Sequence, residues 1–242
     1  MIMKMFSSFK LRNRKKFVNS KEVLEYLLTP LDQSQGDVFK EVIREIEQLE
    51  IRLIASTSPN WAKLAKSRLL SSNTASRAID DSLARWDEAN RYISECIQDE
   101  KKLSFEIITK INSIYNAKNS KIRETPIYGG GIEFIRPQYL EEAKVLLIDK
   151  LLSDVDMCFY EKAFHLYQWI VSLHFFDNGN GRTSRLCADY ILMQNGKLPI
   201  CFQSSVRSHV AQMLEDRTVN KEDKYLSFLK AIKRSYEIVL EI

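Results

Sequence analysis

Hydrophobic residues recur at helical spacing along most of the chain. Within residues 37–54 the apolar side chains fall three or four positions apart, at Val38, Phe39, Val42, Ile43, Ile46 and Leu49. This spacing places them on one face of an α-helix. The same periodicity predicts helices over 20–28, 61–70, 75–97, 101–115, 139–152, 157–173, 182–195 and 206–240, the last with a short break near Asn220.

One segment departs from this periodicity. In residues 121–136 two short stretches that favour β-structure flank three consecutive glycines, Gly129 to Gly131, which is typical of a hairpin. Pro126 would keep the first strand at a sheet edge, because proline cannot donate to a ladder. The pattern therefore predicts a mainly α fold, a helical bundle that carries one β-hairpin.

Composition agrees with a helical protein and narrows the classes of partner. Only seven glycines and five prolines occur among 242 residues, which disfavours a turn-rich all-β fold. The net charge of +4 is too small to indicate a nucleic-acid partner by itself. Residues 1–16 contain six basic residues and no acidic one, so this start is interpreted as a disordered or loosely docked tail, with membrane-surface contact, nucleic-acid contact or a targeting role as open alternatives.

The cysteines and the apolar runs bear on location. Cys96, Cys158, Cys187 and Cys201 form no C-x-x-C pair, so we interpret them as buried, reduced thiols. No apolar run approaches the roughly 18 residues that span a bilayer, and the first residues lack an apolar signal core. A cytoplasmic location is predicted, while delivery into another cell and assembly of a homo-oligomer stay open.

Residues 174–185 read HFFDNGNGRTSR and carry the candidate chemistry. Gly179 and Gly181 would let the backbone turn with its N–H groups converging. The helix expected to begin near Gly181 would point its free N–H groups and positive dipole end into the same space. Arg182 and Arg185 fall in the first turn of that helix, where cations are disfavoured unless an anion is bound. A polyphosphate is the predicted ligand.

His174 is the candidate general base of this segment. It falls next on the apolar face of the preceding helix, at the mouth of the anion site, and histidine is the commonest base near neutral pH. The alternative is a histidine packed in the core. Phe175 and Phe176 are interpreted as packing residues, with Phe176 anchoring the loop. A P-loop is excluded because the glycine and lysine that it requires are absent, and a zinc site is disfavoured because His165 and His209 lack ligand spacing with His174.

This segment resembles the signature of Fic-domain proteins, H-x-F-x-(D/E)-G-N-G-R-x-x-R. The resemblance implies a protein adenylyltransferase, in which His174 deprotonates a Ser, Thr or Tyr hydroxyl of a target protein. That hydroxyl attacks the α-phosphate of ATP, and Mg²⁺ or Mn²⁺ assists. It implies a nucleotide site formed by Asn178, Gly179, Asn180, Gly181, Arg182 and Arg185, in which the two arginines hold the β- and γ-phosphates.

The sequence departs from the signature at the metal position. The acidic residue of the family is Asn178 here, and Asp177 stands one place earlier. A neutral amide binds Mg²⁺ more weakly than a carboxylate does. Three outcomes are open: Asn178 coordinates weakly, Asp177 substitutes, or activity is low. Asp177 could also be a loop-capping acid.

Two further elements resemble the family. Residues 121–138 resemble its flap, an edge hairpin that pairs with an extended stretch of the target; Ile127, Tyr128, Gly129 and Gly130 would position that target. The run from Ser76 to Asp81 resembles its inhibitory pattern (S/T)-x-x-x-E-(G/N), with Asp80 in place of Glu. The hypothesis is that Asp80, with Ser76, restrains Arg185; otherwise Asp80 and Asp81 face solvent on an ordinary helix.

The resemblance also divides the chain and leaves alternatives. It covers roughly residues 70–240, which predicts a basic flexible segment over 1–18, an N-terminal helical region over 19–70 and a Fic-like catalytic core over 71–242 that includes the inhibitory helix 75–97. Fic-type transfer from another donor (uridylyl, phosphocholine or phosphoryl transfer) remains an alternative. A non-catalytic Fic scaffold that acts as a binding module is the other.

Overall fold

A computed structural model describes residues 20–73, 79–116, 120–129, 132–202 and 219–242. The helices are α1 (Ser20–Leu28), α2 (Gly36–Ile54), α3 (Trp61–Asn73), α4 (Ile79–Gln98), α5 (Phe105–Asn116), α6 (Leu140–Leu146), α7 (Phe159–Leu173), α8 (Asn180–Gln194) and α9 (Lys221–Leu240). Short 3₁₀ turns lie at Gln33–Gln35 and Pro137–Tyr139, and a π-helical stretch, Leu147–Leu152, continues α6. The mainly α fold class is confirmed.

Helix α7 is the centre of the bundle. Its side chains are buried on every side from Ala163 to Val171, and this includes the polar residues His165 and Gln168. The sequence pattern predicted one buried face, but α8, α9 and α1 all pack against α7, which requires an apolar surface all round. Helix α8 makes the most extensive contact with α7, so the loop that joins them is fixed at both ends.

The segment with three glycines contains a short antiparallel pair. Strand β1 (Tyr128–Gly129) pairs with β2 (Ile132–Glu133), and Tyr128 lies opposite Glu133. One further bond, from the N–H of Phe134 to the carbonyl of Ile127 at 3.2 Å, extends the pairing by one step. The strands are therefore much shorter than the flap, residues 121–138.

Several helix bounds differ from the sequence prediction. The helix expected over 101–115 begins at Phe105, because Glu100 adopts a left-handed conformation (φ 55°) and Ser104 caps the new start by accepting from the N–H of Ile107 at 3.4 Å. The break near Asn220 is the start of α9: the Asn220 side chain caps it by accepting from the N–H of Asp223 at 2.7 Å. The parts of the predicted helices over 74–78 and 203–218 lie outside the described residues.

Two buried polar contacts join the N-terminal helices to the rest. Arg68 of α3 forms a salt bridge with Asp189 of α8 at 2.6 Å. Lys221, at the start of α9, donates from Nζ to the carbonyls of Tyr26, Leu27 and Thr29 at the end of α1. A cation that satisfies helix-terminal carbonyls stabilises that terminus.

The four cysteines are free thiols. Cys96, Cys187 and Cys201 are buried, as their apolar neighbours indicate, but Cys158 is exposed. The interpretation as a buried thiol is wrong for Cys158, because it occupies the N-cap position of α7 at the surface. In the part of the chain described here, no helix combines the length and apolarity needed to cross a membrane.

Candidate active site

His174 follows the last residue of α7 and has a defined ring orientation. It is the C-cap of α7 in the left-handed conformation (φ 50°, ψ 63°), so the prediction that it continues the apolar helical face is wrong. Its ring Nδ1 lies 2.6 Å from the carbonyl oxygen of Val171. A carbonyl only accepts, so Nδ1 carries the proton and Nε2 is the basic nitrogen.

The flap contributes an aromatic ring to this histidine. The rings of Phe134 and His174 stack with centroids 3.6 Å apart at an interplanar angle of 24°. Phe134 comes directly after β2, so the hairpin and the candidate base are in contact through this pair. The imidazole is thus held on one face by a ring and at Nδ1 by a carbonyl, which leaves few orientations open to it.

The loop after His174 is held by buried groups. Phe175 and Phe176 are both buried, which confirms that they are packing residues, and the Phe105 ring meets the Phe175 ring edge-on at 5.2 Å. The side chain of Asn180 accepts from the N–H of Phe176 at 3.0 Å and donates to its carbonyl at 2.6 Å. Both ends of the Asn180 amide are therefore bonded to the loop, so its contribution to an anion site is its backbone N–H.

No side chain of the described residues caps the N-terminus of α8. Gly179 is its N-cap with φ 77°, and its carbonyl accepts from the N–H groups of Arg182 and Thr183 at 3.0 and 2.9 Å. By helix geometry the N–H groups of Asn180 and Gly181 have no acceptor within the helix. The helix begins at Asn180, and Gly179 alone of the two predicted turn glycines takes a positive φ, so Gly181 acts as an ordinary first-turn residue.

The two arginines of the segment differ in their surroundings. The Arg182 guanidinium lies over the Tyr115 ring, 4.1 Å from its centroid, which holds a cation beside the helix start. The Nε atom of Arg185 is buried without a hydrogen-bond partner among the described residues. Burial raises the pKa of the Asp189 carboxyl; Arg68 opposes this, and the charge of Arg185 does so to a smaller extent.

Helix α5 contributes a polar cluster that the sequence reasoning missed. The buried Asn112 donates from Nδ2 to the carbonyl of Asn178 at 3.0 Å and to Thr183 Oγ1 at 2.8 Å. Its Oδ1 accepts from Asn116 at 2.8 Å and from Ser120, and Asn116 also donates to the Asn178 carbonyl at 3.1 Å. The available signal was the pair of asparagines one helical turn apart, the first of them among the buried apolar residues of the helix.

The metal position offers one free carboxylate. Asn178 is exposed, and its Oδ1 accepts from the N–H of Gly179 at 2.7 Å. Asp177 is exposed. The pKa of Lys121 is raised mainly by its hydrogen bond and charge contact with Glu124, with a smaller contribution from Asp177. Burial lowers the pKa of Arg123, and the charge of Asp177 opposes this. Mg²⁺ is commonly held by one or two carboxylates together with substrate phosphates and water. Asp177 fits that requirement, and the engaged amide of Asn178 fits it less well.

Two sets of predicted residues are described only in part. In the flap, Ile127 and Gly129 belong to the described residues, as does Tyr128, whose side chain is 67% exposed, whereas Gly130 lies outside them. Of the inhibitory pair, Ser76 lies outside the described residues. Asp80 belongs to α4 by its backbone, and its proposed contact with Arg185 stays a prediction.

Comparison with known proteins identifies the class that this site defines. Residues 98–192 match the Fic/DOC family model, and this range includes the whole of the signature segment, α5 and the flap. Over residues 98–192, about two fifths of its length, the chain is similar to the Fic/DOC family.

Sequence relatives are similar over the same region. The chain is 32% identical over 101 residues to the protein adenylyltransferase fic-1 of Caenorhabditis briggsae and 30% identical over 101 residues to fic-1 of Caenorhabditis elegans. Each match covers 38% of this chain and 20% of the relative. The match thus spans about a fifth of the length of these curated relatives.

Solved structures share the fold over a longer range. Fic-1 of Caenorhabditis elegans superposes with a TM-score of 0.65 at 16% identity, covering 92% of this chain and 81% of that one. An IbpAFic2 variant in complex with adenylylated Cdc42 gives 0.54 at 14% identity, over 89% and 75% of the two chains. At such identities the likeness establishes the fold.

Proposed function

We propose that this chain is a protein adenylyltransferase that transfers AMP from ATP to a Ser, Thr or Tyr hydroxyl of a target protein. The observation that carries the proposal is the orientation of His174 beside the uncapped start of α8. Its Nδ1–H is bonded to the Val171 carbonyl at 2.6 Å, which makes Nε2 the atom that accepts a proton. The adenylyltransferase relatives, similar over 38% of this chain, support the same reaction.

The base and the anion site together suit an in-line displacement. His174 Nε2 takes the proton of the target hydroxyl, the hydroxyl oxygen forms a bond to the α-phosphorus of ATP, and pyrophosphate leaves with the electrons of the broken bond. The N–H groups of Asn180 and Gly181 bind phosphate oxygens at the positive end of the helix dipole. Arg182 and Arg185 neutralise the β- and γ-phosphates, where charge develops in the transition state.

A divalent cation would be held by Asp177 together with the phosphates, with Asn178 as a weak alternative. When bound, Mg²⁺ or Mn²⁺ neutralises phosphate charge and stabilises the leaving pyrophosphate. Asp177 is the single carboxylate of residues 174–185, so the arginines carry a larger share of the neutralisation than they would if position 178 were acidic.

The flap is proposed to align the target. The residues proposed to position the target are Ile127, Tyr128, Gly129 and Gly130, and an extended stretch of the target protein would pair through its backbone with the edge at Tyr128–Gly129. Phe134, stacked on His174 at 3.6 Å, joins this edge to the base. The hydroxyl is thereby brought to Nε2 from the side of the hairpin.

We propose a cytoplasmic protein with a flexible basic segment over 1–18, a helical region over 19–70 and a catalytic core over 71–242. In that core Asp80, with Ser76, restrains Arg185. The basic segment would supply any weak contact with a membrane or a nucleic acid, and assembly into a homo-oligomer would leave the reaction at each site unchanged.

One observation favours a second candidate. The neutral Asn178 occupies the metal position, and its amide is engaged by the N–H of Gly179, so the donor could be one that needs less metal assistance than ATP does. Transfer of a uridylyl, phosphocholine or phosphoryl group is the alternative within the same fold. A binding module without catalysis is less well supported, because it needs neither a tautomer-fixed histidine nor cations at a helix start.

The test is incubation with ATP labelled at the α-phosphate, in Mg²⁺ or Mn²⁺, beside His174→Ala and Asp80→Ala. Label on the protein itself or on a lysate protein, lost in His174→Ala, is the expected result. Additional label with Asp80→Ala would support the inhibitory contact, and unchanged label would end that part of the proposal. The absence of label in folded protein under every condition would move the function to another donor or to a binding module.

A further inference from the structure

Arg123 lies at the start of the flap, contacts the signature segment and is 1% exposed. We propose that Arg123 is a positioning residue that fixes the general base His174 relative to the edge of the flap on which the target hydroxyl would lie. This inference rests on the proposed function, because it assigns to Arg123 the alignment of the two reacting groups.

At one end Arg123 holds three consecutive residues around the base. Its Nε donates to the carbonyl of His174 at 2.6 Å, and its Nη2 donates to the carbonyl of Leu173 at 3.4 Å. Its own backbone N–H donates to the carbonyl of Phe175 at 2.8 Å. The left-handed turn that carries the imidazole is therefore bonded to Arg123 on both sides and at its centre.

At the other end the same guanidinium holds both sides of the hairpin. Its Nη1 donates to the carbonyl of Thr125 at 2.8 Å, before β1, and its Nη2 donates to the carbonyl of Ile135, after β2. One planar guanidinium is thus bonded both to the backbone of His174 and to the two ends of the hairpin. A rotation of the flap relative to the base would break bonds at one end or the other.

The chemistry of this contact requires arginine. Burial lowers the pKa of Arg123, and the charge of Asp177 only partly offsets the effect. Among the described residues, no carboxylate accepts a hydrogen bond from the guanidinium. The cation is stabilised mainly by four carbonyls, which a planar fork of five N–H donors reaches in several directions at once. A lysine keeps the charge but donates from a single point, so it cannot reach both ends of this contact.

The phosphate site does not depend on these bonds. The start of α8 is held by Asn112 and by Asn180, and the guanidinium of Arg182 rests on Tyr115. Loss of the Arg123 contacts should therefore leave ATP binding intact while the base and the acceptor lose their alignment. This separation distinguishes a positioning role from a general loss of structure.

The test compares Arg123→Lys and Arg123→Met with the wild-type chain in three measurements. The rate of transfer at saturating ATP should fall about 100-fold, as expected for misalignment on the order of 1 Å. The ATP dissociation constant should change less than about threefold, which is well under the tenfold change that corresponds to about 1.4 kcal/mol. Amide exchange should accelerate by about tenfold to 100-fold over 123–129, 132–135 and 173–176, from the loss of charged hydrogen bonds. Exchange over 180–194 should stay unchanged.

Lys221→Met is the matched control. Lys221 is also a buried cation on backbone carbonyls, but it lies at the end of α1, away from the site. Its loss should lower the melting temperature without changing transfer or exchange in the flap. Arg123→Lys retains the buried charge, so it keeps the test informative if Arg123→Met does not fold.

The outcomes separate this inference from the proposed function. If ATP affinity and transfer fall together in Arg123→Lys, or if exchange in the flap and around His174 keeps its wild-type rate, the positioning role is overturned. If the wild-type chain transfers no AMP to any protein, the proposed adenylyl transfer fails. The exchange measurement then still decides whether Arg123 couples the flap to the loop.

Discussion

Replacing Gly179 with alanine tests how the anion site is built. Gly179 takes φ 77° as the N-cap of α8, a conformation that costs an L-residue about 1–2 kcal/mol. An added Cβ would also lie 2.9 Å from Asn116 Nδ2 and 3.2 Å from Asn112 Nδ2. Those amides donate to the carbonyl of Asn178, so they would have to move and weaken two hydrogen bonds.

The magnitude follows from these two contributions. The displaced hydrogen bonds are worth about 1 kcal/mol each, so Gly179→Ala should destabilise the fold by about 3 kcal/mol in all. Gly196 provides a matched control, since it has φ 71° but no atom of the described residues lies within 4 Å of the added Cβ. Gly196→Ala should therefore show only the backbone cost of about 1–2 kcal/mol.

The assay is urea unfolding of both variants, with ATP affinity measured alongside. Gly179→Ala should also weaken ATP binding by at least about tenfold, since a tilt of the first turn misaims the N–H groups of Asn180 and Gly181. Gly196→Ala should leave affinity unchanged. When Asn116 is also replaced by alanine, the closest contact with the added Cβ is removed. The loss of folding free energy caused by Gly179→Ala should then fall towards that caused by Gly196→Ala. If the two glycine variants are equally destabilised, the close contact with α5 plays no part and the reasoning fails.

Three further predictions concern other buried contacts. Asn180→Ala removes both bonds to the Phe176 backbone and should lower stability by about 2 kcal/mol in urea unfolding, with ATP affinity falling as the loop loosens; unchanged affinity would contradict this. Asp189→Asn removes the carboxylate of the buried salt bridge with Arg68 and should cost about 3 kcal/mol, which a normal unfolding midpoint would refute. Burial lowers the pKa of Lys221 from 10.5 to about 8. Between these pH values the unfolded chain binds more protons than the folded chain does, so Lys221 should make the free energy of unfolding rise with pH. This rise should vanish in Lys221→Met, and identical pH profiles of stability in both proteins would exclude the effect.

Helical spacing of apolar residues was a sufficient guide to the bundle. It located α1 at the residues that form it and α2 to within one residue, because each buries one face, which is the condition under which period 3.6 is visible. It failed at the start of α5, where a left-handed Glu100 and the capping Ser104 decide the boundary. Such local backbone choices leave little trace in hydrophobicity.

The signature segment could be located from sequence, but its internal bonding could not. Gly179, Arg182 and the following helix start are adjacent in the chain, so their relation is local. The supports of the loop are distant in sequence: Asn112 and Asn116 come from α5, and Arg123 from the base of the flap. Their bonds depend on tertiary packing, which a single sequence does not reveal.

The position of His174 illustrates the same limit. Continuing the helical period placed its side chain on the apolar face of α7, whereas the helix ends at Leu173 and the histidine turns into the left-handed region. That turn brings Nδ1 to the Val171 carbonyl and so selects the tautomer. The orientation of the histidine thus depends on where the helix ends, and hydrophobic periodicity does not reveal that end.

The proposed adenylyl transfer is tested most directly by a side-by-side reaction with ATP labelled at the α- or the γ-phosphate, using wild-type protein and His174→Ala. We expect protein-bound label from the α-position only, and none from either position in His174→Ala, because Nε2 of His174 is the proposed base. Label from the γ-position would indicate phosphoryl transfer instead. Label from the α-position that persists in His174→Ala would contradict the role of His174 as the base and therefore the proposed mechanism.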